Sequence, residues 1–279
     1  MSEQSNTRSR GRIWLDALAG TAGAPAYGQP SVLSADAELG GESARFIAVV
    51  PDPNARFPRA RQGEVGLEEG WTLARLVRET VDADAHTAVR RPIIAVVDVT
   101  SQAYGRREEM LGVHLACAAG ADAYAQARLA GHPVVALIVG KAMSGAFLAH
   151  GYQANRLVAL DAPEVLVHAM GKQAAARITR RPVAALDELG NRFPPMAYDI
   201  GNYAKLGLLH ALVGGVDADA PSAADQDKVK AVLVEAVADI RASGRRDLSV
   251  RLQSPQAHLV RAASIEVRRR LAEQWDAQP

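Results

Sequence analysis

The hydrophobic residues of the chain fall into short continuous runs, which are separated by longer segments with helical periodicity. Five runs have the length and β-branched content of buried strands, namely 46–50, 93–99, 134–139, 157–160 and 165–167. Helix-length segments separate or follow several of them, over 68–86, 108–130 and 145–153. Short apolar runs also fit buried helices, but strands that alternate with helices form parallel βα units covered on both faces. The pattern therefore predicts an α/β fold.

The pattern changes near residue 168, after which strand signals largely disappear. Helical segments are predicted over 170–179, 183–192, 198–209, 225–242 and 256–275, with a Gly/Asp/Pro/Ser loop over 214–224. The polar start of the chain predicts a disordered tail over residues 1–8. We expect residues 9–279 to form a single domain in which 170–279 are mainly helical.

The composition favours local recognition of partners. The 279 residues are 48% hydrophobic and carry a formal net charge of +1, which provides no basic field for nucleic acid. The single cysteine, Cys117, leaves no intrachain disulfide framework and favours a reducing compartment. Neither a secretory signal nor an apolar run long enough to cross a bilayer is found in the sequence. We therefore expect a cytoplasmic protein that binds neither nucleic acid nor membranes.

The turn that follows the run 134–139 carries the candidate chemistry. It reads Gly140-Lys-Ala-Met-Ser-Gly-Ala-Phe-Leu-Ala-His-Gly151. Its glycines match the spacing of a phosphate-binding loop, but Ala146-Phe147 replaces the lysine and hydroxyl residue that such a loop needs. A nucleophile elbow needs glycines two residues before and two residues after the serine, and Ser144 has Ala142 and Ala146 there, so a capping or turn role is favoured over a nucleophile. The turn is best interpreted as a strand–helix junction whose free N–H groups hold an oxyanion.

A second strand–loop–helix unit precedes this one along the chain. Its loop, Thr100-Ser-Gln-Ala-Tyr-Gly-Arg-Arg-Glu-Glu-Met-Leu-Gly112, follows the run 93–99. Ligands of open α/β folds bind at the carboxyl ends of strands, so we expect both loops to line one crevice. Glu108 and Glu109 lie in a predicted first helical turn, where interaction with the helix dipole is favoured over a structural or substrate-orienting role.

Several segments resemble those of a known family. The loop 100–112, the stretch 131–147 and the stretch 162–171 look like the C-terminal half of a biotin-dependent carboxyltransferase of the crotonase superfamily. A closer resemblance is to the gamma subunits of biotin-independent malonate decarboxylase, carried by the segments 10–14, 144–151, 168–172, 177–181 and 194–199. The resemblance implies a crotonase-like spiral of βα units with a helical C-terminal part.

The chain departs from the wider carboxyltransferase pattern at the two loops. It has Ser101-Gln102 in place of a Pro-Gly pair, and Ala142-Met143 and Ala146 in place of consecutive glycines. These larger residues predict a pocket narrower than one that admits biotin. The resemblance and this departure together imply decarboxylation without biotin and without any cofactor bound by this chain.

The resemblance implies that a malonyl thioester loses CO₂ and that N–H donors stabilise the resulting enolate oxygen. The catalytic donors are expected at Gly145 and Ala146, with Gln102 and Ala103 as the other candidates. Substrate contacts are expected from Tyr104, Met143, Ser144 and His150. A beta subunit should supply the other half of the site, an acyl-carrier protein subunit should deliver the thioester arm, and an acyl-carrier protein transferase subunit is a further expected partner. A carboxyltransferase using carboxybiotin and a non-catalytic scaffold remain as alternatives.

Histidines and clustered cations allow two interpretations each. His150 and His168 lack zinc-ligand spacing, and a hydrogen-bonded core or interface histidine is the default for both. The alternative for His150 is a position near the site, where it would orient or protonate the carbanion. Four cations lie on or after a predicted helix, at Lys172, Arg177, Arg180 and Arg181. Helix C-termini favour such charges, and the alternative is contact with an acyl-carrier protein.

Overall fold

The computed structural model describes residues 9–277, so the predicted tail over 1–8 lies outside the described residues. The strands are β1 (Ala24–Ala26), β2 (Gln29–Leu39), β3 (Glu42–Val49), β4 (Ile93–Val99), β5 (Val134–Met143), β6 (Arg156–Leu160), β7 (Leu166–His168) and β8 (Ala211–Val213). The helices are α1 (Arg10–Ala19), α2 (Leu67–Ala83), α3 (Arg106–Met110), α4 (Val113–Leu129), α5 (Ser144–Ala149), α6 (Lys172–Thr179), α7 (Val183–Arg192), α8 (Ile200–Ala204), α9 (Ala223–Ser243), α10 (Pro255–Val260) and α11 (Ala262–Asp276). Short 3₁₀ turns occur at Pro58–Ala60, Pro194–Met196 and Ser249–Leu252.

The strands form a sheet with the order β1-β2-β3-β4-β5-β6-β8, and β7 pairs with β5 off this path. Pairing is parallel from β3 through β6 to β8, and antiparallel between β1, β2 and β3. The predicted α/β architecture and its helical C-terminal part are confirmed. The antiparallel edge formed by β1 and β2 was not predicted.

The register of the sheet brings the two candidate loops together. Ile93 pairs with Val134, and the parallel register continues to Val97 and Ile138 before a shift near the end of β4. The first half of β5 pairs with β6, and its last three residues pair with β7. The chain segments that leave β4 and β5 therefore emerge side by side, as the order of the strands requires.

Helices cover the sheet on both faces. Asp98 of β4 lies beside Gly11 of α1, whereas the neighbouring Val97 lies beside Gly151, which follows α5. Consecutive strand residues point to opposite faces, so α1 and α5 lie on opposite sides of the sheet. Helix α9 packs with α1, and helices α2 and α4 pack with each other. This two-sided cover explains why β4 is apolar almost throughout.

Two of the predicted helices are divided in the structure, and one further strand was not predicted. The predicted helix over 108–130 is two helices, α3 and α4, because Gly112 between them has a φ of +84°. The predicted helix over 256–275 is also two, with the break at Arg261. Strand β8 lies in the part where strand signals had largely disappeared. Within residues 9–277, no helix has the length and apolar character needed to span a membrane.

Candidate functional site

Strand β5 ends at Met143 and helix α5 begins at the next residue, Ser144, so no loop separates the two elements. Ser144 takes up the change of direction with a φ of +60°, a left-handed conformation that costs a non-glycine residue on the order of 1–3 kcal/mol. Its hydroxyl donates a hydrogen bond to the carbonyl oxygen of Ala169 at 2.8 Å. This bond fixes the strained turn against the segment that follows β7, and it directs the hydroxyl hydrogen to a backbone carbonyl oxygen instead of to the base that a nucleophile needs.

The segment that leaves β4 is held beside this turn by Val65. The Val65 N–H donates to the carbonyl oxygen of Ser101 at 3.0 Å, and the Ala103 N–H donates to the carbonyl oxygen of Val65 at 2.8 Å. Between these two anchors, Gln102 extends its side chain towards α5. Its Oε1 accepts a hydrogen bond from the Gly145 N–H at 2.9 Å. The two loops are therefore joined through one carboxamide.

The close approach of this carboxamide explains the glycine at position 145. A Cβ atom there would lie 3.2 Å from Oε1 and 3.3 Å from Cδ of Gln102, which is tighter than ordinary van der Waals contact. We call Gln102, Ser144 and Gly145 the junction. A larger residue at position 145 would move the Gln102 side chain.

Two cavities meet at the junction, and both are lined by Gln102 and Ser144. The first, which we call the apolar cavity, has a volume of about 720 Å³ and is lined mainly by apolar side chains of α5 and residues 194–208. The second, which we call the cationic cavity, has a volume of about 730 Å³ and includes Lys172 and Arg177 of α6. A mostly apolar cavity with a few convergent polar groups is typical of a ligand site.

The structure brings some of the expected site residues together and separates others. Gln102, Ser144 and Gly145 meet at the junction, and Tyr104 lines the cationic cavity with 54% of its surface exposed. Ala146 and Met143 flank the junction but are buried. Ala146 lies in the first turn of α5, where backbone N–H groups have no intrahelical partner.

Two of the expected site residues have other roles in the structure. The N–H of Ala103 is engaged by Val65, so it is not a free donor. The ring of His150 is fully buried, with Nδ1 at 3.0 Å from the Tyr124 hydroxyl and Nε2 at 3.1 Å from the Val96 carbonyl oxygen. Burial lowers the pKa of His150 to about 4. His150 therefore has the default role of a hydrogen-bonded core histidine and is not in contact with either cavity.

The apolar cavity includes residues for which the sequence had indicated no role. Pro194, Pro195 and Met196 form one wall, and Tyr203 forms another. The Tyr203 hydroxyl is buried and has no hydrogen-bond partner within residues 9–277, although buried polar groups are normally paired. His168 also lines this cavity, stacked on Tyr198 with ring centroids 3.9 Å apart. The segment 194–199, which contains Pro194 and Pro195, was part of the resemblance to the known family. Its residue pattern gave no indication that it lies beside the turn after β5.

Comparison with known proteins identifies the chain with one family. The sequence model of the malonate decarboxylase gamma subunit matches residues 60–275. A Pseudomonas malonate decarboxylase hetero-tetramer, solved with coenzyme A, contains a chain that is 58% identical with a TM-score of 0.90, over 96% of this chain and 100% of that one. A Pseudomonas MdcD–MdcE hetero-dimer contains a chain that is 56% identical with a TM-score of 0.88, over the same shares.

Two more distant proteins are also similar. Malonyl-S-ACP:biotin-protein carboxyltransferase MADD of Malonomonas rubra is 36% identical over 192 residues, which cover 67% of this chain and 66% of that protein. This chain thus spans just under two thirds of the length of MADD. A transcarboxylase 12S structure is 19% identical with a TM-score of 0.57, over 76% of this chain and 37% of that one. That likeness concerns the fold alone, which is crotonase-like.

Proposed function

The chain belongs to the family of malonate decarboxylase gamma subunits, and from that premise we propose that it forms, with a beta subunit, a malonyl-[acyl-carrier protein] decarboxylase. The observation that carries the proposal is the junction, where Gln102 and Gly145 meet between two cavities. The order of the elements supports it as well, because ligands of such folds bind at the carboxyl ends of parallel strands.

In the proposed reaction, the bond between the malonyl carboxylate carbon and the α-carbon breaks. Its electron pair passes into the thioester as an enolate, CO₂ leaves, and a proton adds to the α-carbon to give an acetyl thioester. The negative charge of the enolate lies largely on the thioester oxygen, so fixed donors around that oxygen lower the barrier. The candidate donors are the N–H groups of Gln102 and Gly145 at the junction and of Ala146 next to it. No ionisable nucleophile is required.

The proposed substrate is a malonyl group on the phosphopantetheine-type arm of an acyl-carrier protein, with no cofactor on this chain and no biotin. The name of MADD includes both malonyl-S-ACP and a biotin protein, which supports the carrier and keeps a carboxybiotin-dependent transferase as the second candidate. The Pseudomonas hetero-dimer and hetero-tetramer support a beta subunit partner. We also propose an acyl-carrier protein transferase subunit as a partner and a cytoplasmic location, which the single cysteine favours.

Gly145→Val in the purified beta–gamma complex tests the proposed site. Because a Cβ at position 145 already comes within 3.2 Å of Gln102 Oε1, valine should displace the carboxamide and disorder the junction. Loss of one oxyanion donor costs about 10²–10³ in kcat, and we expect a loss of that size in CO₂ release from malonyl-[acyl-carrier protein].

The matched control is Gly214→Val, since Gly214 is also partly exposed and a Cβ there meets nothing closer than 3.7 Å. An intact Gly145→Val complex with wild-type turnover would contradict the proposed site. A complex that transfers the carboxyl group to a biotin protein, and releases CO₂ only when that protein is present, would favour the second candidate.

A further inference from the structure

The carboxamide of Gln102 has a defined orientation. A backbone N–H can only donate, so the Gln102 atom that faces Gly145 at 2.9 Å must be the oxygen. The side-chain nitrogen, with its two N–H donors, then lies on the other branch of the planar amide. No hydrogen bond from this nitrogen is found within residues 9–277, and Gln102 lines both cavities.

The position of this carboxamide is fixed from both of its ends. On the backbone side, the two hydrogen bonds of Val65 hold the residues before and after Gln102. The Gln102 carbonyl oxygen also accepts from the Tyr104 N–H at 2.9 Å and from the Ser101 hydroxyl at 2.9 Å. On the side-chain side, Gly145 holds Oε1. A donor that is held in place before the reaction needs little reorganisation when charge develops, which is the condition for strong oxyanion stabilisation.

The Gly145 N–H cannot hold a substrate oxygen while it is bonded to Gln102. Either the glutamine leaves when substrate binds, or it stays and presents its own nitrogen in place of the backbone donor. The close fit favours the second arrangement, because a Cβ at position 145 would come within 3.2 Å of Gln102 Oε1 and the glycine leaves the carboxamide room to stay in place. A donor beside the apolar cavity also makes a stronger hydrogen bond once a partner excludes water from the site, since the local dielectric is then low.

We propose that the side-chain nitrogen of Gln102 donates the hydrogen bond that stabilises the thioester enolate oxygen, and that Gly145 is the positioning residue that orients it. In this arrangement the Gly145 N–H donates to Gln102, and the side-chain nitrogen of Gln102 becomes the donor to the substrate. This nitrogen reaches further into the space between the two cavities than the backbone N–H does. This inference rests on the proposed decarboxylation and names the donor that acts in it.

Two substitutions in the beta–gamma complex separate the two arrangements. Gln102→Glu has nearly the same shape and can still accept from Gly145, but when ionised it has no donor. Gln102→Ala removes the side chain and frees the Gly145 N–H. If the carboxamide is the donor, both variants should lose about 10²–10³ in kcat with little change in KM, because the interaction is made mainly in the transition state.

The alternative gives a different result for alanine. If Gln102 only occupies the Gly145 donor until substrate arrives, Gln102→Ala should turn over at least as fast as the wild type, and that result would overturn the inference. A rise in KM with unchanged kcat would also overturn it. The matched control is Gln226→Ala on α9, whose carboxamide donates to the carbonyl oxygen of Pro221 at 3.2 Å. This variant should keep the wild-type kcat.

A structure of the wild-type complex with a malonyl-thioester analogue that cannot lose CO₂ gives an independent readout. We expect Gln102 Nε2 within about 2.7–3.2 Å of the thioester oxygen, with the Gly145 N–H still bonded to Oε1. A thioester oxygen on the Gly145 N–H, with the glutamine rotated away, would overturn the inference. A wild-type complex that releases no CO₂ would refute the proposed function itself, whereas an active complex with an active Gln102→Ala variant would refute only the role of Gln102.

Discussion

At the scale of single residues, His150 illustrates how burial decides between two roles for the same side chain. Its ring nitrogens lie beside Tyr124 and Val96 in the core, and desolvation lowers its pKa to about 4. A neutral imidazole with both nitrogens engaged cannot serve as the acid that protonates a carbanion in either cavity. His150 therefore contributes to the stability of the folded chain, and this contribution is present only while the ring is uncharged.

The pKa shift of His150 predicts a pH dependence of unfolding. The folded pKa of about 4 lies below the usual value of 6.5, so between these values the unfolded state binds more protons than the folded state. The stabilisation is fully present above pH 6.5 and is lost as the pH falls towards 4. When the pH is lowered from 7 to 5, the free energy of unfolding of the wild type should therefore fall by about 2 kcal/mol more than that of His150→Gln.

Denaturant unfolding of the chain at several pH values measures this difference. His114→Gln is the matched control, because His114 lies on the exposed surface of α4 and should leave the wild-type slope unchanged. Parallel pH profiles for the wild type and His150→Gln would contradict the assignment of His150 as a buried neutral residue.

The sequence allowed part of the junction to be predicted. Small residues after an apolar run indicate a tight strand–helix turn, and this identified Ser144 and Gly145. The contact between Gly145 and the Gln102 side chain joins residues 43 positions apart and depends on the register of β4 and β5, which local pattern does not specify. The role of His150 could not be predicted, because α5 ends at Ala149 and the chain then directs His150 back into the core.

At the scale of elements, α6 connects the site with the surface. The helix has no buried residue, and Lys172 and Arg177 line the cationic cavity next to the junction. Lys172 is paired with Asp187 at 2.5 Å and lies over the Tyr198 ring, whereas Arg177 has no ion pair within residues 9–277. Of the two cations that line this cavity, Arg177 is therefore the one that is available to an acidic carrier.

Arg177→Glu should weaken the use of a protein-bound substrate. An exposed charge pair contributes up to about 1 kcal/mol, so KM for malonyl-[acyl-carrier protein] should rise by about fivefold at low salt, with kcat unchanged. The effect should shrink as salt is added, because exposed charges are screened. With malonyl-pantetheine, which has no protein surface, KM should not change.

Arg268→Glu provides the control for this measurement, since Arg268 is an exposed cation on α11, outside the lining of both cavities. Equal effects of Arg177→Glu on the two substrates, or equal effects of the two substitutions, would contradict a carrier-docking role for α6.

The elements themselves were predictable to different degrees. The central parallel strands were evident because burial on both faces requires continuous apolar runs, as in β4 and β5. Strand β2 has only a partly buried pattern at the antiparallel edge, so its residues gave no clear signal. The break between α3 and α4 depends on the left-handed Gly112, and a single glycine inside a helical pattern does not specify whether the helix ends there.

At the scale of the whole molecule, the site of this chain is open on its outer side. Three large side chains of the surrounding surface are about half exposed, namely Tyr104 (54%), Leu148 (51%) and Phe193 (50%). Hydrogen bonds to a developing oxyanion are weaker in water than in a closed site of low dielectric. A second chain that covers these residues would exclude water from the junction, which agrees with the hetero-oligomeric assemblies of the Pseudomonas relatives.

This openness predicts that the isolated chain releases no measurable CO₂ from malonyl-[acyl-carrier protein]. Titration with separately purified beta subunit should restore activity and reach a plateau at equimolar amounts, because one closed site forms with each pair. The Gly145→Val chain should reach its plateau at the same ratio but at a much lower rate, since the substitution affects the junction and not assembly. Turnover by the isolated chain at the rate of the pair would mean that water exclusion by a partner is not needed, and that the junction alone is sufficient for catalysis.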